Sequence, residues 1–375
     1  MKPRLSFIDK KLEEAKRNNL YRRLRYGRIC GSRIFMDSKS LLNLCSNDYL
    51  GIPPPVVVPG QMQSSSRLVS GNDEAYKIME DKLARHKSHQ DSLVYPTGYM
   101  ANMGVISALV GKGDTVLSDE LNHASIIESC KLAGAKTLIY KHNDMGDLAD
   151  KIKQRSRNKF VITEGIFSMD GDYARLQQIA ELAQQFDAAT IVDDAHGDFV
   201  VGKDGKGTPN KLRVSKKIDV YISSLSKGLG SFGGYVASQK NVIDLCVNRS
   251  KPFIYTSALP SFFIEYSLKR LGVDREIYRK KLFENVKIFT DGLKEAGYKV
   301  GSKTHIIPII IGNEKTALDV GKFLYQRGVF VQPIRYPTVA KSKARLRISM
   351  TAWLSKNDID EAITVFEKVA KRFKI

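Results

Sequence analysis

Cysteine, proline and tryptophan are scarce in this chain, and their scarcity narrows its class before any motif is read. The 375 residues include 4 cysteines, 12 prolines and 1 tryptophan. Cys30, Cys45, Cys130 and Cys246 stand far apart without a Cys-x-x-Cys pair. Neither a zinc-ribbon spacing nor a disulfide framework is indicated, and a reducing cytoplasm is the expected compartment. Long apolar runs are missing too. None approaches the ~20 residues of a membrane helix, and the start of the chain lacks the apolar core of a secretory signal. No membrane partner is therefore expected.

Acidic residues are in deficit. Lys plus Arg total 60 against 40 Asp plus Glu, a net charge of +20, and a field of that sign draws anions. The basic residues are spread from Lys2 to Lys374, and no zinc-finger or RRM-like signature accompanies them. Nucleic acid is not expected as a partner; an anionic substrate, an acidic carrier protein and plain solubility are the readings that the charge leaves open.

The length suits two domains, or one large domain with an appendage. Residues 5 to 28 place Leu5, Ile8, Leu12, Ala15, Leu20, Tyr21 and Leu24 among many Lys and Arg, which predicts a basic amphipathic helix. Ile34 to Met36 and Leu41 to Leu44 flank a turn-rich tetrapeptide and predict a hairpin. Pro53-Pro54-Pro55 then excludes a helix. From Ser92 onward apolar strand segments near residues 92–95, 115–117, 137–140, 160–163, 189–192, 220–222 and 235–237 alternate with helical periodicity. That rhythm predicts an α/β domain with a largely parallel sheet. Beyond Lys251-Pro252 the pattern changes: a helical stretch over 261–296, strands near 306–311, 329–332 and 345–349, and helices at 316–326 and from 357 predict a smaller α+β tail. The expected organisation is an N-terminal helix and arm over 1–45, a large α/β domain over 46–250 and a small α+β domain over 251–375.

Two segments carry chemistry. Val220-Tyr221-Ile222 runs into Ser223-Ser-Leu-Ser-Lys-Gly-Leu-Gly230, which puts Lys227 after a buried strand among small residues. A desolvated lysine amine condenses with a carbonyl to a Schiff base, and Ser224 and Ser226 offer hydroxyls to an anion such as phosphate; a surface lysine in a Gly-Ser loop is the plain alternative. Upstream, Ala189 to Val192 ends in Asp193-Asp194-Ala195-His196-Gly197. A carboxylate there suits a pyridinium nitrogen, because opposite charge favours the protonated form. Read alone, the two acids also fit a helix cap or half a metal site, and His196 a core histidine. Ligands gather at strand ends in open α/β sheets, which favours the pair acting together. Thr97-Gly98 opens a predicted helix, as an N-cap or as a phosphate seat.

Taken in order, Asn47-Asp48-Tyr49-Leu50-Gly51, Val69-Ser70-Gly71, Thr97-Gly98-Tyr99, Asn122-His123-Ala124-Ser125, Thr163 to Gly171, Asp193 to Gly197, Ser226-Lys227 and Arg345-Leu346-Arg347 resemble the α-oxoamine synthases, pyridoxal 5'-phosphate enzymes of the aspartate-aminotransferase fold (fold type I). The resemblance runs from about residue 40 to 352. It implies that Lys227 forms the Schiff base with the cofactor and moves the substrate α-proton, that Asp193 pairs with the ring nitrogen, that His196 faces the phenolic oxygen and that His123 stacks on the ring. It further implies that Gly98 and Tyr99 give backbone N–H groups to the phosphate, with Ser224 beside them, and that Ser168 lies on the cofactor side. Asn47, Thr338 and Arg347 are implied in substrate binding, Arg347 as the clamp on its carboxylate. Ser257 matches a residue donated across a homodimer interface, with the active site there. An amino acid and an acyl-CoA or acyl-carrier-protein are the implied substrates. The Asp-Asp-Ala-His-Gly form and the loop Ile334 to Val339 favour the branch that joins L-alanine to a pimeloyl thioester in biotin biosynthesis, whereas Leu121 to Ile127 is shared with the glycine C-acetyltransferase branch. A basic binding protein that keeps the fold without catalysis is the reading outside the class.

Four departures stand against the family pattern. The segment between Gly51 and Ser64 is shorter than usual, so a different substrate entrance is expected; Gln63-Ser64-Ser65-Ser66 replaces a glycine-rich run, Lys206 replaces a loop arginine, and Asp198-Phe199 replaces Thr-Gly. The last is expected to add negative charge and bulk near the site.

Overall fold

The computed structural model describes residues 6–57 and 64–375, so Lys2, Leu5 and Gln63 of the sequence reading lie outside the described residues. The chain divides into two compact units, Asn47–Ser168 with Asp172–Lys280, and Met1–Ser46 with Met169–Gly171 and Lys281–Ile375.

In the second of these, β1 (Arg28–Cys30), β2 (Arg33–Met36) and β3 (Lys39–Asn43) form an antiparallel meander. Its tight turn uses Asp37 and Ser38 at φ of 49° and 58°, the left-handed geometry that short hairpins require. The basic helix preceding it spans Ser6–Arg17 and stops there, short of the expected residue 28. Asn18-Asn19 ends it, with Asn19 at φ 56°, because asparagine tolerates the left-handed conformation that breaks a helix. Tyr21 and Leu24 beyond it are exposed.

The larger unit is built on seven strands: β4 (Asp91–Tyr95), β5 (Thr115–Asp119), β6 (Lys136–Tyr140), β7 (Lys159–Glu164), β8 (Ala188–Asp193), β9 (Val220–Ser224) and β10 (Gly234–Ser238). They lie in the order β4-β10-β9-β8-β7-β5-β6. The run from β9 to β6 is parallel, and β10 is antiparallel to both of its neighbours. The strand sequences explain the layering. Val116, Ile162 and Ile191 join one buried apolar cluster, and their neighbours Leu117, Val161 and Val192 join another. Successive strand side chains point to opposite faces, so continuous apolar strands bury both faces, as a helix-covered parallel sheet demands.

Residues 251–280 stay with this larger unit, although the sequence reading assigned them to the tail. Phe253 belongs to its main core, and Arg270 on the helix Ser261–Leu271 donates to the carbonyls of Leu229 and Ile52 at 2.6 and 2.8 Å. The helical stretch expected over 261–296 is two helices, Ser261–Leu271 and Glu276–Glu295. Gly272 ends the first, and the Asp274 carboxylate accepts the Glu276 N–H to start the second.

The smaller unit closes with β11 (Ile306–Gly312), β12 (Val329–Phe330), β13 (Pro333–Ile334) and β14 (Ala344–Ser349). β12 pairs parallel to β3, and β11-β14-β13 make a separate antiparallel sheet. Among the described residues no helix is long and apolar enough to cross a membrane.

Candidate functional site

Asp119, Glu164, Asp193 and Ser224 are the final residues of β5, β7, β8 and β9, and the loops beyond carry His123, Ser168, His196 and Lys227. The carboxyl edge of the parallel strands is where open α/β sheets collect ligands. The reversed strand sets the spacing there. Gly234, the first residue of β10, pairs with both Tyr95 and Ser224, so the chain leaving β4 and the chain leaving β9 come together above it. A Cβ on Gly234 would lie 2.5 Å from the Gly98 backbone; only glycine lets the helix Gly98–Leu109 begin so close to the sheet.

That helix start offers an anion seat. Thr97 caps it by accepting the Met100 N–H on its hydroxyl at 3.1 Å, and the N–H groups of Gly98 and Tyr99 form the first turn at the positive end of the dipole. A Cβ on Gly98 would stand 3.2 Å from Ser224 Cβ, and the Ser224 and Ser226 hydroxyls are 2.8 Å apart. First-turn N–H groups and two hydroxyls make a donor set that fits a phosphate.

The amine lies beside it. Lys227 Nζ is 3.0 Å from Nε2 of the buried His196, whose Nδ1 is 2.6 Å from the Tyr49 hydroxyl. Tyr49 in turn donates to Asn47 Oδ1 at 3.1 Å. On the next strand the Asp193 carboxylate accepts the Ala195 N–H at 3.0 Å and the Asn102 amide at 2.6 Å. Asn102 also donates to the Ser125 hydroxyl, which lies 2.7 Å from His123 Nδ1. The Ser125 N–H donates to that same nitrogen at 3.2 Å, so the proton of the neutral ring sits on Nε2. The His123 ring is exposed, with Tyr99 edge-on at 6.2 Å.

Glu164 completes the edge. It is buried and accepts the Ser168 N–H at 3.2 Å. Burial, reinforced by the charge of Asp193, pushes its carboxyl well above the usual carboxylate range; the proton it keeps spares the site a second buried anion.

The two acids of the Asp-Asp pair do not converge. Asp194 is fully buried, accepting from the Thr208 N–H and hydroxyl, each at 2.6 Å, and from the Tyr221 hydroxyl at 2.8 Å. Burial raises the Asp194 carboxyl to about 7, against the lowering influence of Lys87 and Thr208. The expectation that Asp198-Phe199 loads the site with charge and bulk is also corrected. Asp198 is fully buried, 3.0 Å from Lys87 Nζ and 3.4 Å from His86, and it accepts from the Tyr235 hydroxyl. Burial alone would raise it, but Lys87 and His86 hold it well below the usual range. Phe199 turns inward at φ 63° and stacks on His86 at 5.1 Å.

The structure thus gathers Lys227, His196, Asp193, His123, Gly98, Tyr99, Ser224 and Ser168 along one sheet edge, with Asn47 reached through Tyr49. Ser257 lies in an exposed loop of the same unit. Thr338 and Arg347 belong to the smaller unit. There Arg347 is buried on β14 and donates to the Ser349 hydroxyl at 2.7 Å, and Thr338 accepts from Arg22 at 3.2 Å beside a cavity of about 760 Å³ lined by Lys16, Arg22, Arg23, Arg25 and Arg335. Sequence reasoning missed Asn102, Glu164 and the individual part of Tyr49. Asn102 had a signal: one helical turn after Gly98, it faces the same side as the anion seat.

Comparison with known proteins gives a consistent set. The family described as aminotransferase class I and II matches residues 39–366. An 8-amino-7-oxononanoate synthase of Thermoanaerobacter pseudethanolicus is 41% identical, over 99% of this chain and 98% of that protein. Among solved structures, serine palmitoyltransferase of Sphingomonas wittichii superposes with a TM-score of 0.92 at 26% identity, covering 98% of each chain. An 8-amino-7-oxononanoate synthase of Francisella tularensis gives a TM-score of 0.75 at 26% identity, over 89% of this chain and 99% of that one.

Proposed function

We propose a reaction for a chain that belongs to the aminotransferase class I and II family and, within it, to the α-oxoamine synthases. It condenses L-alanine with a pimeloyl thioester, carried on CoA or on a carrier protein, releasing the thiol and carbon dioxide and giving 8-amino-7-oxononanoate for biotin biosynthesis. Pyridoxal 5'-phosphate is the cofactor. The observation that carries this reading is the sheet edge itself: an amine at Lys227, a carboxylate at Asp193 on the adjoining strand, and the anion seat of Gly98, Tyr99 and Ser224.

Bound there, the cofactor supplies an aldehyde for amines and a ring that draws electron density from an amino acid's α-carbon. Everything else is the work of side chains. Asp193, oriented by Asn102 and the Ala195 N–H, keeps a ring nitrogen protonated by its opposite charge. The exposed His123 ring, held by Ser125, would stack on a planar ligand bound there. Lys227 removes the α-proton and later returns one, with its Nζ beside His196 Nε2. Burial favours the neutral form of Glu164 beside Asp193. From the family resemblance, Asn47, Thr338 and Arg347 bind substrate, Ser168 contacts the cofactor and Ser257 acts across a homodimer interface. The net charge of +20 suits an anionic thioester carrier. A cytoplasmic setting follows from the same reading.

The test is thiol release measured with alanine and with glycine, each paired with pimeloyl-CoA and with acetyl-CoA. Preference for alanine with the pimeloyl donor is expected. Some glycine turnover accompanies it, since one methylene is worth only about 1–3 kcal/mol of discrimination. Preference for glycine with acetyl-CoA would move the chain to the branch that shares Leu121 to Ile127. A purified protein without the visible absorption of a bound aldehyde cofactor, before or after its addition, would mark a non-catalytic binding protein.

A further inference from the structure

Asn47, Tyr49, His196 and Lys227 stand in single file. From Lys227 Nζ the contacts run 3.0 Å to His196 Nε2, 2.6 Å from Nδ1 to the Tyr49 oxygen, and 3.1 Å from that hydroxyl to Asn47 Oδ1. Tyr49 is fully buried and His196 almost so. A tyrosine hydroxyl owns one proton. Directed at Asn47 Oδ1, it presents only a lone pair to Nδ1, which places the imidazole proton on Nδ1 and leaves Nε2 with its lone pair toward the lysine.

We propose that Tyr49 is a positioning residue that holds His196 in the Nδ1–H form, so that Nε2 accepts a proton from the Lys227 ammonium. The step balances within these residues. The Nζ–H bond breaks and its electron pair stays on the amine; the Nε2 lone pair makes the new N–H bond; the positive charge passes from ammonium to imidazolium. Tyr49 then stabilises the imidazolium through a charge-assisted hydrogen bond from Nδ1–H. The product is a neutral lysine amine, the form able to attack an aldehyde. The proton-transfer half rests on the reading of Lys227 as the amine that meets the cofactor, whereas the tautomer rests on the contacts alone.

Imidazole 15N NMR of the cofactor-free full chain reads the tautomer, with the His196 signals assigned by their loss in His196→Gln. Nδ1 is expected to resonate as a protonated nitrogen and Nε2 as an unprotonated one. Tyr49→Phe keeps the ring but removes the acceptor, and shifts the population toward Nε2–H. Asn47→Ala leaves Tyr49 in place, frees its proton to turn toward Nδ1 and shifts the population the same way, which keeps the test decisive if the buried Phe variant folds poorly. In parallel, pyridoxal phosphate attachment is followed against pH by borohydride trapping and mass measurement. Tyr49→Phe is expected to raise the midpoint by about one pH unit, which is about tenfold in rate below the midpoint. A wild-type ring protonated at Nε2, or a tautomer unchanged in every variant that folds, overturns the proposal; so does an unmoved midpoint in Tyr49→Phe. Absence of attachment to the wild type at any pH would overturn the reaction assigned to Lys227 and leave the tautomer measurement standing.

Discussion

Asn102 Nδ2 lies 2.6 Å from Asp193 Oδ2, and it reaches there from one helical turn beyond Gly98. A single helix therefore both opens the anion seat and fixes the orientation of the carboxylate on β8. Coupling of this kind ties the carboxylate's direction to the helix that opens the seat.

Asp193→Asn is expected to retain cofactor but to lose about two orders of magnitude in kcat, because a neutral amide does not hold the ring nitrogen protonated. Asn102→Ala keeps the charge and loses the orientation, so its loss is smaller. Steady-state kinetics with cofactor occupancy read by absorbance separate the two; full activity in Asp193→Asn would place the electron sink elsewhere.

Lys227→Ala is expected to purify folded yet without covalently held aldehyde. Borohydride reduction followed by peptide mapping of the wild type should place the label on Lys227, the lysine whose Nζ lies 3.0 Å from His196. A label on a different lysine would end the assignment.

Asp194 invites a stability prediction. Three donor groups converge on its carboxylate, and a Cβ on Gly197 would lie 2.2 Å from its oxygen. Asp194→Asn turns an N–H2 group toward a donor and is expected to cost about 1–3 kcal/mol, the penalty of a buried polar group left unsatisfied. Gly197→Ala should also destabilise, by about 1–3 kcal/mol of overpacking. Because Asp194 bonds to Thr208 and Tyr221, Asp194→Asn should cost less in kcat than Asp193→Asn, and denaturant midpoints measure the separate structural cost. With its folded-state carboxyl raised to about 7, Asp194 contributes stability that is fully present below the unfolded value near 4 and lost as pH rises through about 7.

His142 acts in a higher window. It bridges Asp119 and Asp172, each at 2.9 Å. Burial lowers its pKa, but the hydrogen bonds and charges of the two carboxylates win and raise it to about 10. Its contribution to stability is full below the unfolded value of about 6.5 and disappears as pH rises through about 10. The difference in unfolding free energy between wild type and His142→Gln should therefore be largest near pH 6 and shrink towards pH 10 and above. A difference that grows with pH would contradict the ion-pair reading.

Much of this was legible in the chain because the strongest signals are local. The apolar strand segments carry both-face burial in their composition, and Val116-Leu117 or Ile191-Val192 need no partner to announce it. Lys227 and Asp193 could be paired because each follows such a segment. What stayed hidden depends on contacts across long stretches of sequence. Asp198 reads as an added charge until Lys87 and Tyr235 are found beside it. Glu164 reads as an ordinary strand-end acid until burial and the register pairing with Asp193 set its proton. The basic stretch after Arg17 keeps helical spacing on paper, but the left-handed Asn19 ends the periodicity there.

The reversed β10 also works as a ruler. Because it is inserted between β4 and β9, the anion seat lies above β10 and the edge of β9, while the carboxylate of Asp193 sits on β8. Strands are spaced about 4.8 Å apart, so the two recognition points are separated by one to two spacings, about 5–10 Å. A free phosphate would fill only one end of that gauge, whereas a flat ligand with an anionic arm and a basic ring nitrogen would reach from mark to mark. Length discrimination of this sort is built into the hydrogen-bond ladder of the sheet, and Gly234, whose missing Cβ keeps the helix start against β10, is the position where one added methyl would reset it.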